Sequence, residues 1–328
     1  TDEEWPCYMS KQRWIDIIDA IKNDPKLLSL RISEGKTERR VAIDKDGKER
    51  DLGGMRAACF TDEISNKTVV VFRGTHGAYE WHDNGLGGSE EITGQQQAAL
   101  NYIEGLPDRY KDLTVTGHSK GGNKAQFVTV MSDRVEKCYS FDGQGFSKEF
   151  IEVYKDRIEE RQGKISSISA EGDFVNCLLN SIASQKYYVD TEEQSNFLHN
   201  HCPDIVLKIT RDENGNAIAS VRNYDSVEQG TIPKFLNKFS VHINETMDEP
   251  WRSIAINGAL GFLEGDFAAE SDIQKYASIA MLVSKLDDLT LAQIKEEYGP
   301  IAELFAASVM SMVCPALFMD DLRNTLIT

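Results

Sequence analysis

The sequence predicts an α/β fold: a mainly parallel sheet with helices on both faces, followed by a helical C-terminal appendage. Three observations carry this. Strand-like and amphipathic helical segments alternate between residues 55 and 169, the order that a parallel sheet with crossover helices produces. Within that alternation the β-branched run Val69-Val70-Val71-Phe72 stops abruptly at Arg73-Gly74-Thr75, as a buried central strand does when its end delivers a small polar residue to the top of the sheet. A second strand-like segment, residues 113–116, runs directly into Gly117-His118-Ser119-Lys120-Gly121 and a helical pattern, the context that a sharp strand-to-helix serine turn requires.

The elements follow in order. A helix is expected over residues 11–21, strands over 55–60 and 68–73, and an amphipathic helix over 95–106. After the serine turn and its helix come a strand over 137–141, a charged helix over 148–161 and a short strand over 165–169. Residues 205–210 and 217–221 flank Glu213-Asn214-Gly215-Asn216, a strong hairpin signal, and this pair is expected to finish the sheet edge. From about residue 246 only helical spacing remains, over 251–263, 272–286 and 291–312, with Leu289-Thr290 offering a cap before the last. Two units are therefore expected, a catalytic body over 1–245 and a helical segment over 246–328. The apolar run 304–319 is interrupted by Pro315 and is short for a membrane span, so packing on the body or on a protein partner is expected, with transient membrane or lipid contact as the alternative.

The chemistry centres on Ser119. The turn strains its backbone, and the flanking glycines keep Cβ atoms out of the crowded strand-to-helix crossing. Acyl transfer at such a serine needs two N–H donors for the oxyanion, and Lys120 and Thr75 occupy the corresponding positions. An acid and then a histidine must follow in chain order. Asp173 lies in the loop just after the 165–169 strand, the expected seat of the acid; Asp142, after the 137–141 strand, is its rival and Glu171 a weaker one. Position disfavours His76, His82, His118 and His242 as the base, leaving His199 and His201 in the loop before Pro203. The two could alternatively ligate a metal, but no cysteine pair or His-Glu-x-x-His framework accompanies them.

Phe72-Arg73-Gly74-Thr75, Glu80-Trp81-His82-Asp83-Asn84 and Gly117-His118-Ser119-Lys120-Gly121-Gly122-Asn123 together resemble the class 3 lipase superfamily, most of all its bacterial lipase-like branch. The resemblance covers roughly residues 40–225. It implies an α/β-hydrolase fold, a Ser-Asp-His triad and ester hydrolysis without a cofactor, and it favours Asp173 and His201, since a histidine shortly before a proline and an apolar strand fits the family pattern. In those lipases a lid lies near residues 77–88, a stretch whose aromatics and glycines suit a mobile flap. Trp81, with His118, is then expected at the acyl pocket and Asp83 under the oxyanion loop; a structured turn with a core tryptophan is the equal alternative.

Composition bounds the partners. The 328 residues, 41% hydrophobic, suffice for one such domain with additions. A net charge of −17 argues against nucleic acid and against electrostatic docking on anionic membranes, and the lipase resemblance implies a lipid or acyl-ester substrate. The six cysteines are scattered and read as buried thiols, which favours a reducing compartment. No signal peptide is visible, and the expectation is a cytoplasmic protein or one secreted without such a peptide by a dedicated system, as a phospholipase effector would be. A start at Thr1 rather than Met fits a processed or excised chain and leaves the location open.

Overall fold

The computed structural model describes residues 9–43, 47–192, 197–253, 256 and 296. Helix α1 (Lys11–Asn23) starts where the Ser10 hydroxyl accepts from Arg13 N, and Asp24 with Pro25 opens the short α2 (Pro25–Leu28). Strands β1 (Leu30–Thr37), β2 (Arg40–Ile43), β3 (Glu49–Gly53), β4 (Arg56–Asp62) and β5 (Lys67–Phe72) follow. Helices α3 (Ala78–Leu86) and α4 (Gly94–Gly105) then lead to β6 (Leu113–His118), α5 (Lys120–Met131) and β7 (Val135–Phe141). Next come α6 (Lys148–Val153), α7 (Lys155–Arg161), β8 (Ile165–Ala170) and β9 (Gln185–Val189). A 3-10 turn (Phe197–His201), β10 (Leu207–Arg211), β11 (Ala217–Val221) and α8 (Thr231–Thr246) complete the described elements.

Seven strands form one sheet in the order β1-β4-β5-β6-β7-β8-β9. Strands β5 to β9 are parallel neighbours, while β4 is antiparallel to both β1 and β5, so β4 alone runs against the rest. Helices fill the crossovers from β5 to β8, and this mostly parallel sheet with a single reversed strand is an α/β-hydrolase fold. The carboxyl ends of β5, β6 and β8 therefore open toward one rim, where ligands bind in open α/β sheets. Val70, Phe72 and Val115 of the sheet meet Ile103 of α4, Phe127 of α5 and Phe150 of α6 in the main core, all buried. A capping box between Thr93 and Gln96 fixes the start of α4.

Two expectations change. The charged helix over 148–161 is two helices that meet at Tyr154, which leaves the helical region with φ −106° and ψ 18°. The hairpin β10–β11 does not finish the sheet edge, because β9 already holds the place beside β8. It forms a separate two-stranded sheet against α1: Arg13 Nη2 donates to Leu207 O at 2.7 Å and Ala217 N to Asp19 Oδ2 at 3.0 Å. The segment 251–263 is helical where it is described, at Trp251–Ser253 and Ile256. The helix expected over 272–286, that over 291–312 apart from Glu296, and the run 304–319 lie outside the described residues. Among the described residues no helix is long and apolar enough to cross a membrane.

Helix α8 and the residues after it are fastened to the body. Asn244 is buried, donating from Nδ2 to Gly88 O at 2.6 Å and accepting Lys148 N on Oδ1 at 2.8 Å. Arg252, 2% exposed, donates to Asn244 O, Glu149 Oε1 and Glu249 Oε1 at 2.6–2.9 Å, and Met247 is buried with Ile243. A chain ended after residue 246 loses Met247 and the Arg252 bonds, whereas one ended after 256 keeps both. We expect the shorter chain to lose on the order of 3 kcal/mol, or roughly 6–12 °C in Tm, relative to the longer one. Calorimetry of the two chains reads this directly, and equal melting temperatures would place the end of the folded body before residue 247.

Candidate active site

The site starts from steric exclusion. Phe72 and Gly117 are register partners on β5 and β6, and α5 begins so close to them that no side chain fits between. A Cβ on Gly121 would lie 2.2 Å from Phe72 O, and one on Gly117 would lie 2.4 Å from Gly121 C. The chain must reverse within this space, and Ser119 carries the turn at φ 59° and ψ −128°, a left-handed geometry costly for a residue with a side chain. Ser119 N donates to Phe141 O at 2.9 Å and Ser119 O accepts Asn123 N at 3.1 Å, so the strained backbone is held from both sides. The serine itself is partly exposed at the carboxyl end of β6.

The β8–β9 connection carries Asp173. Asp173 is fully buried; its Oδ1 accepts from Val175 N, Asn176 N and Asn176 Nδ2 at 2.6–3.0 Å, and its Oδ2 lies 2.5 Å from His201 Nδ1. The imidazole therefore turns Nε2 away from Asp173. The His201 ring packs against the ring of His118, the residue before Ser119, with centroids 4.7 Å apart, and against Phe174 at 5.6 Å. His199 shares the same 3-10 turn, but the ring delivered to Asp173 is that of His201.

The rival acids have other places. Asp142 is also buried, with Oδ1 accepting Ala170 N at 3.0 Å and Oδ2 lying 3.7 Å from His118 Nε2. Burial, and then the charge of Asp173, push its carboxyl well above the ordinary carboxylate range. Glu171 instead accepts Thr191 N at 3.3 Å. His118 stands as a neutral imidazole, its pKa lowered to about 3 by burial and then by His201.

Of the two expectations for residues 77–88, a mobile flap or a structured turn, the structure shows the ordered one, with Ala78–Leu86 forming α3. Glu80 and Asp83 turn into the core at 0% and 2% exposure. Asp83 accepts Thr93 Oγ1 at 2.8 Å and Gln95 N at 2.9 Å, and pairs with Lys120 Nζ at 2.8 Å. Burial alone would raise the Asp83 carboxyl, but the Lys120 charge and these hydrogen bonds outweigh it and hold the pKa low. Asn84 Nδ2 donates to Thr75 Oγ1 at 3.0 Å, and a Cβ on Gly74 would meet His118 O at 2.9 Å, so the Thr75 loop lies against the serine turn. Trp81 is partly buried on the same helix, the structured alternative to a mobile flap. The buried ionic partners of α3 escaped the sequence reading, although Lys120 and Lys124, four apart, and Glu80 and Asp83, three apart, already had the spacing that puts each pair on one helix face.

Fold and site together define an α/β-hydrolase with a Gly-x-Ser-x-Gly turn at the rim of its sheet. A family model described as Mbeg1-like matches residues 46–242, and the chain belongs to that family. No curated protein matches the chain. Ten chains of known structure do. One is the Lip2 lipase from Yarrowia lipolytica, at 14% identity over 66% of this chain and 78% of that one, with a TM-score of 0.35. Another is M37 lipase, at 15% identity over 50% and 60% with a TM-score of 0.32. The fold assignment rests on strand order and direction rather than on these distant likenesses.

The exclusion at the turn is measurable. Gly121→Ala forces a methyl group onto the Phe72 and Arg73 backbone, with no flexible side-chain end to yield, and we expect a loss on the order of 3 kcal/mol or insoluble protein. Gly105→Ala, with nothing within 4 Å of the new Cβ, is the control and should be neutral or slightly stabilising. Similar melting temperatures for the two variants would contradict the packing described.

Proposed function

We propose that the protein is a serine ester hydrolase acting on a lipid or another acyl ester through an acyl-enzyme on Ser119. The observation that supports this most is the buried Asp173–His201 pair arriving beside the strained serine turn, with the His201 ring against the residue that precedes Ser119. In this reading His201 donates its Nδ1 proton to Asp173, which leaves the Nε2 lone pair to take the proton of Ser119 Oγ as that oxygen attacks the ester carbonyl. The tetrahedral oxyanion is received by the N–H of Lys120, one of the first residues of α5 and without an intrahelical acceptor, and by that of Thr75. His201 then returns the proton to the leaving alkoxide, and water repeats the cycle to release the acid. Burial and the charge of Asp173 raise the Asp142 carboxyl, and Asp173 is the carboxylate that faces the imidazolium in this reading. His118 and Trp81 are the proposed substrate-side neighbours. The helical segment over 246–328 is the proposed seat of lipid or partner contact. No step needs a cofactor.

A fluorophosphonate should label the wild-type chain and fail on Ser119→Ala; label that persists in that variant would put the nucleophile elsewhere. Turnover of p-nitrophenyl esters separates the remaining roles. His201→Ala should lower kcat by several orders of magnitude while His199→Ala keeps a readily measured fraction. Asp173→Asn should cost roughly 10³–10⁴-fold and Asp142→Asn less than about tenfold. The opposite ranking in either pair would exchange the assignments.

A further inference from the structure

Beneath the two oxyanion donors lies a buried group of charges that the proposed chemistry does not use. Helix α5 carries Lys120 and, one turn on, Lys124, while α3 presents Asp83 and Glu80 to them. The upper pair is closed, with Lys120 Nζ 2.8 Å from Asp83 Oδ2. The lower pair is open: Lys124 Nζ stands 4.0 Å from Glu80 Oε2, and both atoms are buried without a hydrogen-bond partner among the described residues. Glu80 spends its other oxygen on Arg73 Nη2 at 2.8 Å and Gly54 N at 2.9 Å. Arg73 from the end of β5, Lys120 and Lys124 from α5, and Glu80 and Asp83 from α3 thus place three cations against two anions. Lys124 is 0% exposed and Lys120 1%, so solvent does little to screen the excess.

We propose that Lys124 is a positioning residue for the reaction, supplying the excess positive charge under the Thr75 and Lys120 donors that favours the developing oxyanion. The inference rests on the acyl-transfer reading of Ser119. Its geometric basis is the ladder itself: Glu80 and Asp83 belong to the helix that follows the Thr75 loop, and Lys120 and Lys124 to the helix that begins at the serine turn. The two donors are therefore set relative to each other by these charges. A lysine in a closed ion pair would serve anchoring alone, whereas the Lys124 ammonium stands 4.0 Å from a carboxylate whose other oxygen is already bonded to Arg73 and Gly54 N, so Glu80 cancels only part of its field. The charge is also switchable. Burial, only partly offset by Glu80 and reinforced by Lys120 and Arg73, lowers the Lys124 pKa to about 8. Above that pH the lower rung loses its proton and the group becomes neutral overall.

The test is the rate of fluorophosphonate inactivation on the full chain between pH 6 and 10. In wild type the rate should fall about tenfold on passing upward through pH 8, the order expected for the loss of one charge acting through a partly screened interior. Lys124→Met should be slower by a similar factor at pH 7 and lack the alkaline fall. Glu80→Gln, which removes the group holding the proton on, should move the fall to lower pH. Thermal stability gives an independent readout. The folded pKa lies below the unfolded value of 10.5, so between about pH 8 and 10.5 the unfolded chain binds more protons and wild type gains stability as pH rises. Lys124→Met should lack that gain. An alkaline fall that survives in Lys124→Met, with labelling still dependent on Ser119, overturns this inference and leaves the hydrolase reading standing. Labelling that does not depend on Ser119 removes both, and a Glu80→Gln profile that does not shift refutes the role given to the lower rung.

Discussion

The contact between the Phe72 carbonyl and Gly121 is the constraint from which the rest of the site follows. Parallel pairing of β5 with β6 fixes Phe72 beside Gly117, and α5 can start immediately above them only if Gly117 and Gly121 carry no side chain. Once the crossing is that tight, the chain between strand and helix has room for one left-handed residue, and that residue is Ser119. The same closeness sets the first N–H groups of α5 beside the end of β5, where the Thr75 loop begins. A positive φ at a serine costs on the order of 1–3 kcal/mol, and the bonds of Ser119 N to Phe141 O and of Asn123 N to Ser119 O hold it there.

Holding the Thr75 loop against this turn has been done with charge rather than with an apolar staple. Buried ion pairs are expensive, since each ion surrenders its hydration and the mutual attraction returns only part of that cost. Lys120 and Asp83 come nearest to full compensation, because Asp83 also accepts Thr93 Oγ1 and Gln95 N and thereby ties the start of α4 into the same group. Lys124 and Glu80 are less compensated. Glu80 is needed by the donors on its Oε1, Arg73 Nη2 and Gly54 N, but no hydrogen bond among the described residues calls for an ammonium at Lys124, so the charge there is the feature that packing does not explain. What an aliphatic side chain at Lys124 cannot supply is a field at the helix start.

The sequence made the parallel sheet, the serine turn and the loop positions of Asp173 and His201 legible, because each is a local pattern. A β-branched run ending at Gly-Thr, a Gly-x-Ser-x-Gly between strand and helix, and an aspartate just past a short strand are all short-range signals. The exposed strands were harder. Strand β1 is Leu30–Thr37, a polar stretch whose pairing with β4 includes an irregularity between Ser33 and Lys36, and β9 is Gln185–Val189, half-exposed at the other edge. Neither alternates clearly enough to be distinguished from loop by period. Missing β9 is also why the β10–β11 hairpin, correctly read as a hairpin, was given the wrong neighbour. Long-range ionic partners were invisible for a different reason. Spacing shows that Lys120 and Lys124 share a helix face, but not that α3 lies opposite them.

The two buried aspartates explain how one site can carry two carboxylates without repelling itself apart. Asp173 is met by three hydrogen-bond donors on one oxygen and by His201 on the other. Asp142 has Ala170 N on one oxygen, and its other oxygen faces an imidazole that burial keeps neutral; burial and the charge of Asp173 raise its pKa despite the bonds from Ala170 and Asn176. The neutral form is therefore favoured at Asp142, the residue that does not touch His201. Exchange of the donors between the two loops would exchange the roles. That is why the loop after β8, with its turn of backbone N–H groups around Asp173, and not the earlier aspartate after β7, fits the acid of the proposed mechanism.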